Sequence, residues 1–198
     1  MPLYTYDSLK TSVAAWAHRA DLTDVIPDLI TLAEERINAL LRVRAMEASA
    51  TGTTTGTITL PTGYLALKSL HLDCGGSTVV PEFVPAAELD TYGGPGATMG
   101  YGMVGDSIIL TPTPESAYNY TLRYWAALTA ISSTNQTNWV LTNYPAAYLF
   151  GALAESAPYV GNDRRLQVWE AKFVNAIEEI QAADRADRYG PTLRVMRG

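Results

Sequence analysis

His71, Asp73 and Cys74 form a short cluster whose side chains are of the types used for proton transfer, metal binding or nucleophilic attack. A His-x-Asp-Cys run suggests a metal site or an activated nucleophile, and His71 with Asp73 would be the pair of a small hydrolase. Tyr64 to Leu72 reads as a strand, however, and a strand sends alternate side chains to opposite faces. His71 and Asp73 then share one face and Cys74 takes the other. A zinc site needs further strong ligands that this run does not supply. The second histidine, His18, lies on a predicted helix beside Arg19, without the second histidine of an H-E-x-x-H motif. Glu34 and Glu35 are adjacent on a predicted helix, so they point in different directions and make a weak glycosidase pair. The run from Gly93 to Gly105 contains Gly100-Tyr101-Gly102, but no further glycine follows at the spacing of a dinucleotide fingerprint and no helix opens there. No Walker A loop or G-x-S-x-G elbow is present. These residues predict no enzyme, no cofactor and no metal.

A different chemistry gathers near the C-terminus. Arg185, Arg188, Arg194 and Arg197 close an otherwise acidic chain. Arginine near a helix C-terminus complements the helix dipole, but Arg194 and Arg197 fall beyond the predicted helix. Their alternation with Leu193, Val195 and Met196 suits a segment that docks into a partner's groove and orders on binding. The predicted partner interface is Arg188, Pro191, Leu193, Arg194, Val195, Met196 and Arg197. Tyr92 and Tyr101, set among glycine and threonine, offer a carbohydrate or protein surface as the alternative; packing within a small β-rich core is the preferred reading.

Composition narrows the classes. The 198 residues suffice for one domain, or one domain with an insertion. Charged residues make up only 17%, against about 25% in typical soluble domains, which suggests surface that a partner covers. A formal net charge of -6 argues against a general nucleic-acid binder, because phosphate recognition needs clustered cations. Cys74 is the only cysteine, so no intrachain disulfide framework exists. The sequence has no signal-peptide pattern and no apolar run long enough to span a membrane.

The elements follow from periodicity. A helix over about residues 5–20, capped by Asp7 or Ser8, puts Leu9, Val13, Trp16 and Ala17 on one face. A second, from a candidate cap at Asp24 with Pro27 in its first turn, runs to about residues 46–48 and carries Ile26, Leu29, Ile30, Ala33, Ile37, Leu40 and Leu41, with Glu34 among its other faces. From about Ala50 the chain becomes strand-like, with hairpin turns at Gly75-Gly76-Ser77 and Gly105-Asp106, a short helix at 85–92, and its clearest strand over Tyr118–Ala126. A polar loop spans 131–137. Helices return at 143–157 and 163–188, the latter with Leu166, Trp169, Phe173, Ile177 and Ile180 on one face. Gly190-Pro191 stops it.

The expected fold is α+β, mainly α: a four-helix body of two N-terminal and two C-terminal helices, with a projecting β-rich insertion and an extended C-terminal tail. Taken as a single domain over 1–198, the body is 5–48 with 143–188, the insertion 51–128 and the docking tail 189–198. The aromatic hairpin of Asn138-Trp139-Val140-Leu141, Pro145, Tyr148, Tyr159, Trp169 and Phe173 reads as a packing and assembly element.

These residues resemble the small head-to-tail adaptor, or connector, proteins of tailed bacteriophages. The resemblance rests on Trp16 with Arg19-Ala20-Asp21, on Ile26-Pro27 through Ile30, Ala33-Glu34, Arg36-Ile37 and Leu41-Arg42 to Met46-Glu47, on Leu60-Pro61-x-Gly63-Tyr64-Leu65, and on Asn138-Trp139-Val140-Leu141, Pro145 and Tyr148 with Asp163, Trp169 and Phe173. It implies a homo-oligomeric ring of twelve copies beneath the portal protein. That ring extends the channel for double-stranded DNA, without sequence-specific binding, and presents a platform to a downstream tail or nozzle protein. It also implies a place in the virion neck, after assembly in the host cytoplasm, and a C-terminal segment, here Pro191 to Gly198, that reaches the portal. The insertion would face neighbouring subunits or tail proteins. An acidic subunit would line the channel with a wall that repels DNA. A tail or receptor-binding module that uses the aromatic insertion is the alternative.

Overall fold

The computed structural model describes residues 3–93, 98–160 and 164–189. It divides into two compact units, one of residues 1–45 and 128–198 and one of residues 46–127.

The first unit is helical. Helix α1, Tyr6–Ala17, starts at a capping box: the Thr5 hydroxyl accepts the Ser8 amide at 3.2 Å and the Thr5 amide donates to the Ser8 hydroxyl at 3.1 Å. The cap is thus Thr5, not Asp7 or Ser8. Leu9, Val13 and Ala17, each four residues apart, are fully buried. Trp16 falls off that stripe, stays 48% exposed and meets Phe150 edge-on at 5.6 Å. Helix α2, Ile26–Leu40, begins at Val25 without a side-chain cap and carries Pro27 in its first turn. It ends earlier than its hydrophobic run suggests. Leu41 is already extended (ψ 137°), and Leu41 and Val43 are both buried, a two-residue period. Arg42 turns back to donate to the carbonyls of Asn38 and Leu41, both at 2.5 Å.

The C-terminal helices are α3 (Trp139–Asn143), α4 (Pro145–Glu155), α5 (Ala157–Val160) and α6 (Arg165–Tyr189). The residue before a proline is driven out of the helical region. Tyr144, at φ −135° and ψ 57°, therefore separates α3 from α4. Helix α4 packs on both α2 and α6. Gly151 permits the approach, since a Cβ there would lie 3.0 Å from Ala33 Cβ and 3.2 Å from the Phe173 ring.

Among the described residues the second unit holds eight strands: β1 (Glu47–Thr54), β2 (Thr57–Thr59), β3 (Tyr64–Asp73), β4 (Thr78–Val79), β5 (Glu82–Phe83), β6 (Gly100–Val104), β7 (Ser107–Thr111) and β8 (Tyr118–Ala126). They form two four-stranded sheets, ordered β1-β8-β3-β4 and β2-β7-β6-β5, antiparallel except for β5 with β6. Their shared core contains Ile58, Leu70, Leu72, Ile108, Leu110, Leu122 and Tyr124. Gly100 and Gly102 prove to be packing glycines. A Cβ on Gly100 would come within 2.7 Å of Val84, and one on Gly102 within 2.6 Å of Leu89. The segment expected as a short helix at 85–92 holds a single 3-10 turn, Ala86–Glu88.

The expected mainly-α, four-helix body is therefore overturned. Helix accounts for 44% and strand for 25%, with two full sheets. The C-terminal pair is divided by Tyr144-Pro145 and by Ser156, and the β-rich part builds a core of its own.

Candidate assembly site

The residues singled out for catalysis are dispersed among structural tasks. His71 lies on β3 opposite Thr121. The Asp73 carboxylate accepts the Gly76 amide at 2.8 Å, closing the β3–β4 turn. The Cys74 amide donates to the Ser77 carbonyl in that turn. His18 ends α1 in the left-handed region at φ 52°. Among the described residues no group of three or more His, Cys, Asp or Glu side chains is placed to hold a metal ion.

Glu34 departs furthest from expectation. It sits on the buried face of α2, only 8% exposed. Its carboxylate accepts the Tyr148 hydroxyl at 3.0 Å and the Ile131 amide at 3.2 Å. The Asn138 side-chain amide donates to the Tyr148 oxygen at 2.7 Å and to the Thr129 carbonyl at 2.9 Å, while its carbonyl oxygen caps α3 through the Leu141 amide at 3.0 Å. One turn along α2, Asn38 accepts the Leu128 amide at 2.8 Å. Residues 128–138 are thus fastened to α2 and α4 by side chains, as expected where buried polar groups must be satisfied. Burial pushes the Glu34 carboxyl above its usual range, and the Ile131 and Tyr148 donors oppose that shift. The same burial, with Glu34 beside it, drives the Tyr148 phenol well above its ordinary value. Sequence patterning missed this network because its partners are 97 and 114 residues apart.

Arg36 braces the middle of α2. It reaches Glu155 of α4 at 2.8 Å and Glu170 of α6 at 2.6 Å, with its guanidinium 4.4 Å from the centre of the Phe173 ring. Bidentate contact with Glu170 is a geometry that arginine supplies and lysine does not.

The C-terminal end of α6 carries the cations that the sequence marked. Arg188 pairs with Asp184 at 2.8 Å, one turn back along the helix. The Arg44 amide donates to Asp184 at 2.8 Å and its guanidinium meets Asp187 at 2.8 Å. Between this end of α6, the 43–45 segment and α3 lies a groove of about 420 Å³ with Trp139, Tyr144, Val43 and Ile180 in its walls. Of the predicted interface, Arg188 is therefore placed in an ion pair. Pro191, Leu193, Arg194, Val195, Met196 and Arg197 lie outside the described residues.

Among the described residues no helix is long and apolar enough to cross a membrane. No curated protein matches the chain. A family model described as SU10 adaptor protein matches residues 4–196, which takes in both units almost entirely. The chain belongs to the SU10 adaptor protein family, a family of phage head-to-tail adaptors.

Proposed function

We propose that the chain is a structural adaptor of a phage neck, assembling as a ring of twelve copies between the portal and the tail. The observation that carries this reading is the family match across residues 4–196. The helical unit supports it, since Glu34, Tyr148 and Asn138, singled out by their burial, are joined to one another and to the 128–138 segment as structural links. Closed rings arise from heterologous contacts that repeat around an axis, and a chain with only 17% charged residues suits large lateral interfaces.

In this reading the helices build the ring wall and the β-rich unit faces neighbouring subunits or a downstream tail or nozzle protein. The interface to the portal is Arg188, Pro191, Leu193, Arg194, Val195, Met196 and Arg197. Double-stranded DNA passes through the bore without sequence-specific contact. Electron cryomicroscopy of the virion neck tests the reading: a twelvefold ring between portal and tail that fits this chain is expected, and a location on tail fibres or capsid faces would refute it.

A further inference from the structure

We propose that α6 of one copy packs on α2 of the next, with Arg164 and Lys172 meeting Asp28 and Glu35 around Val168 and Leu32. The inference rests on the reading that copies of this chain form a ring, and adds which two surfaces join them.

Each surface is a stripe of one charge sign with an aliphatic side chain at its centre. Helix α2 buries Leu29, Ile30, Ala33 and Ile37. Its period therefore carries Asp28, Leu32 and Glu35 on the opposite, outer side, where Leu32 is 43% exposed. Arg36, the one cation in α2, turns to Glu155 and Glu170, which leaves the outer stripe acidic. Helix α6 buries Trp169, Phe173 and Ile177. Arg164, just before the helix, starts an outer row that continues one turn apart with Val168 and Lys172. Val168 is 53% exposed. Glu170 is the one carboxylate between positions 164 and 175, and Arg36 holds it, so this row is basic.

The chain itself does not use these charges. Among the described residues the side chains of Asp28, Glu35 and Arg164 make no hydrogen bond or ion pair, and Lys172 only lies over the Phe150 ring, 5.4 Å from its centre. Arg164 stands at the N-terminal end of α6, where the helix dipole disfavours a cation, so an acid from outside suits it. The two stripes cannot meet within one chain. Through Ala33 and Phe173, α2 and α6 both turn their buried faces to Gly151 of α4, and the stripes lie on the sides away from it. Their dimensions agree: the rise from Asp28 to Glu35 is about 10 Å and from Arg164 to Lys172 about 12 Å. Laid together, Leu32 and Val168 meet between the flanking charges, and their burial supplies the attraction that exposed ion pairs alone lack. Contact between two different patches is heterologous, the type that closes into rings.

The test is sedimentation equilibrium of the full chain at low salt, up to about 1 mM, the effective concentration of copies held side by side on one scaffold. Three proteins are compared: the native chain, the variant Asp28→Lys with Glu35→Lys, and the variant Arg164→Glu with Lys172→Glu. All four positions are exposed, and circular dichroism checks that each variant is folded. The native chain should associate beyond a dimer, more weakly as salt rises. Each variant alone should associate at least about tenfold more weakly, because like charges are brought together. An equimolar mixture of the two variants should recover the native affinity, since each reversed stripe then finds a reversed partner. A native chain that stays monomeric overturns the proposal. So does growth that stops at a dimer, the mark of a two-fold contact. So does a variant that associates like the native chain, or a mixture no tighter than its components. No portal is present in this experiment, so its failure leaves the neck reading standing through other surfaces, and failure of the neck reading leaves a measured self-association standing.

Discussion

The Tyr148 hydroxyl stands 3.0 Å from a Glu34 carboxylate oxygen, and both side chains lie inside the helical unit. This bond joins α4 to α2 and, through Asn138 and Ile131, fixes the 128–138 segment to both. Tyr148→Phe would keep the ring and remove one of the two donors to Glu34 and one of the two acceptors of the Asn138 side-chain amide. A buried acceptor that loses its donor costs roughly 1–3 kcal/mol. Urea unfolding should show a loss in that range, and an unchanged midpoint would mean that the bond contributes nothing.

Glu34 also gives the unit a pH signature. Its carboxyl is raised in the folded state, chiefly by burial, so the folded chain holds that proton more tightly than the unfolded chain. The resulting stabilisation is fully present below the unfolded carboxyl value and is lost as pH rises through the raised folded value. Glu34→Gln is permanently neutral and of similar shape. Its stability relative to the native chain should be most favourable near pH 7.5 and should decline toward pH 4. Denaturant unfolding at a series of pH values checks this, and a difference that does not vary with pH would contradict it.

Gly151 sets the spacing of three helices. The Ala33 Cβ that a side chain would meet at 3.0 Å is fully buried and has no rotamer to escape into. Gly151→Val should therefore cost about 2 kcal/mol or more through overpacking, read as a lower thermal midpoint. A variant as stable as the native chain would show that α2 and α4 can separate freely.

Arg36 makes a weaker but salt-sensitive contribution. Its side chain is 32% exposed and Glu170 is 47% exposed, so solvent screens the pairs. Arg36→Ala should cost on the order of 1 kcal/mol at low salt and less at high salt. Arg36→Lys should recover only part, because the fork on Glu170 is lost. Full recovery by lysine would mean that charge alone matters.

Local periodicity carried much of the fold. Tyr118–Ala126 alternates as a strand should and forms β8 with those bounds, and Gly105-Asp106 turns the β6–β7 hairpin as its residue types indicate. Other features are also local: Pro145 disfavours a helical Tyr144, and apolar Leu41 and Val43, two residues apart, suit the extended segment that follows α2. The Thr5–Ser8 capping box was equally legible. Glu34 was not. A carboxylate on an amphipathic helix is assigned to the solvated face unless its donors are known, and Tyr148 lies 114 residues away. Packing that depends on Gly100 and Gly102 was likewise hidden, because Val84 and Leu89 reach them through the tertiary fold.

The central claim is that the chain joins the portal through its C-terminal segment. The measurement that tests it most directly is co-sedimentation of the chain with isolated portal rings, with and without residues 192–198. The full chain should sediment with the portal in a twelve-to-one ratio of chain to ring, and the shortened chain should remain in the supernatant while keeping its circular dichroism and unfolding midpoint. Equal binding of the two, or no binding of the full chain, would contradict the account.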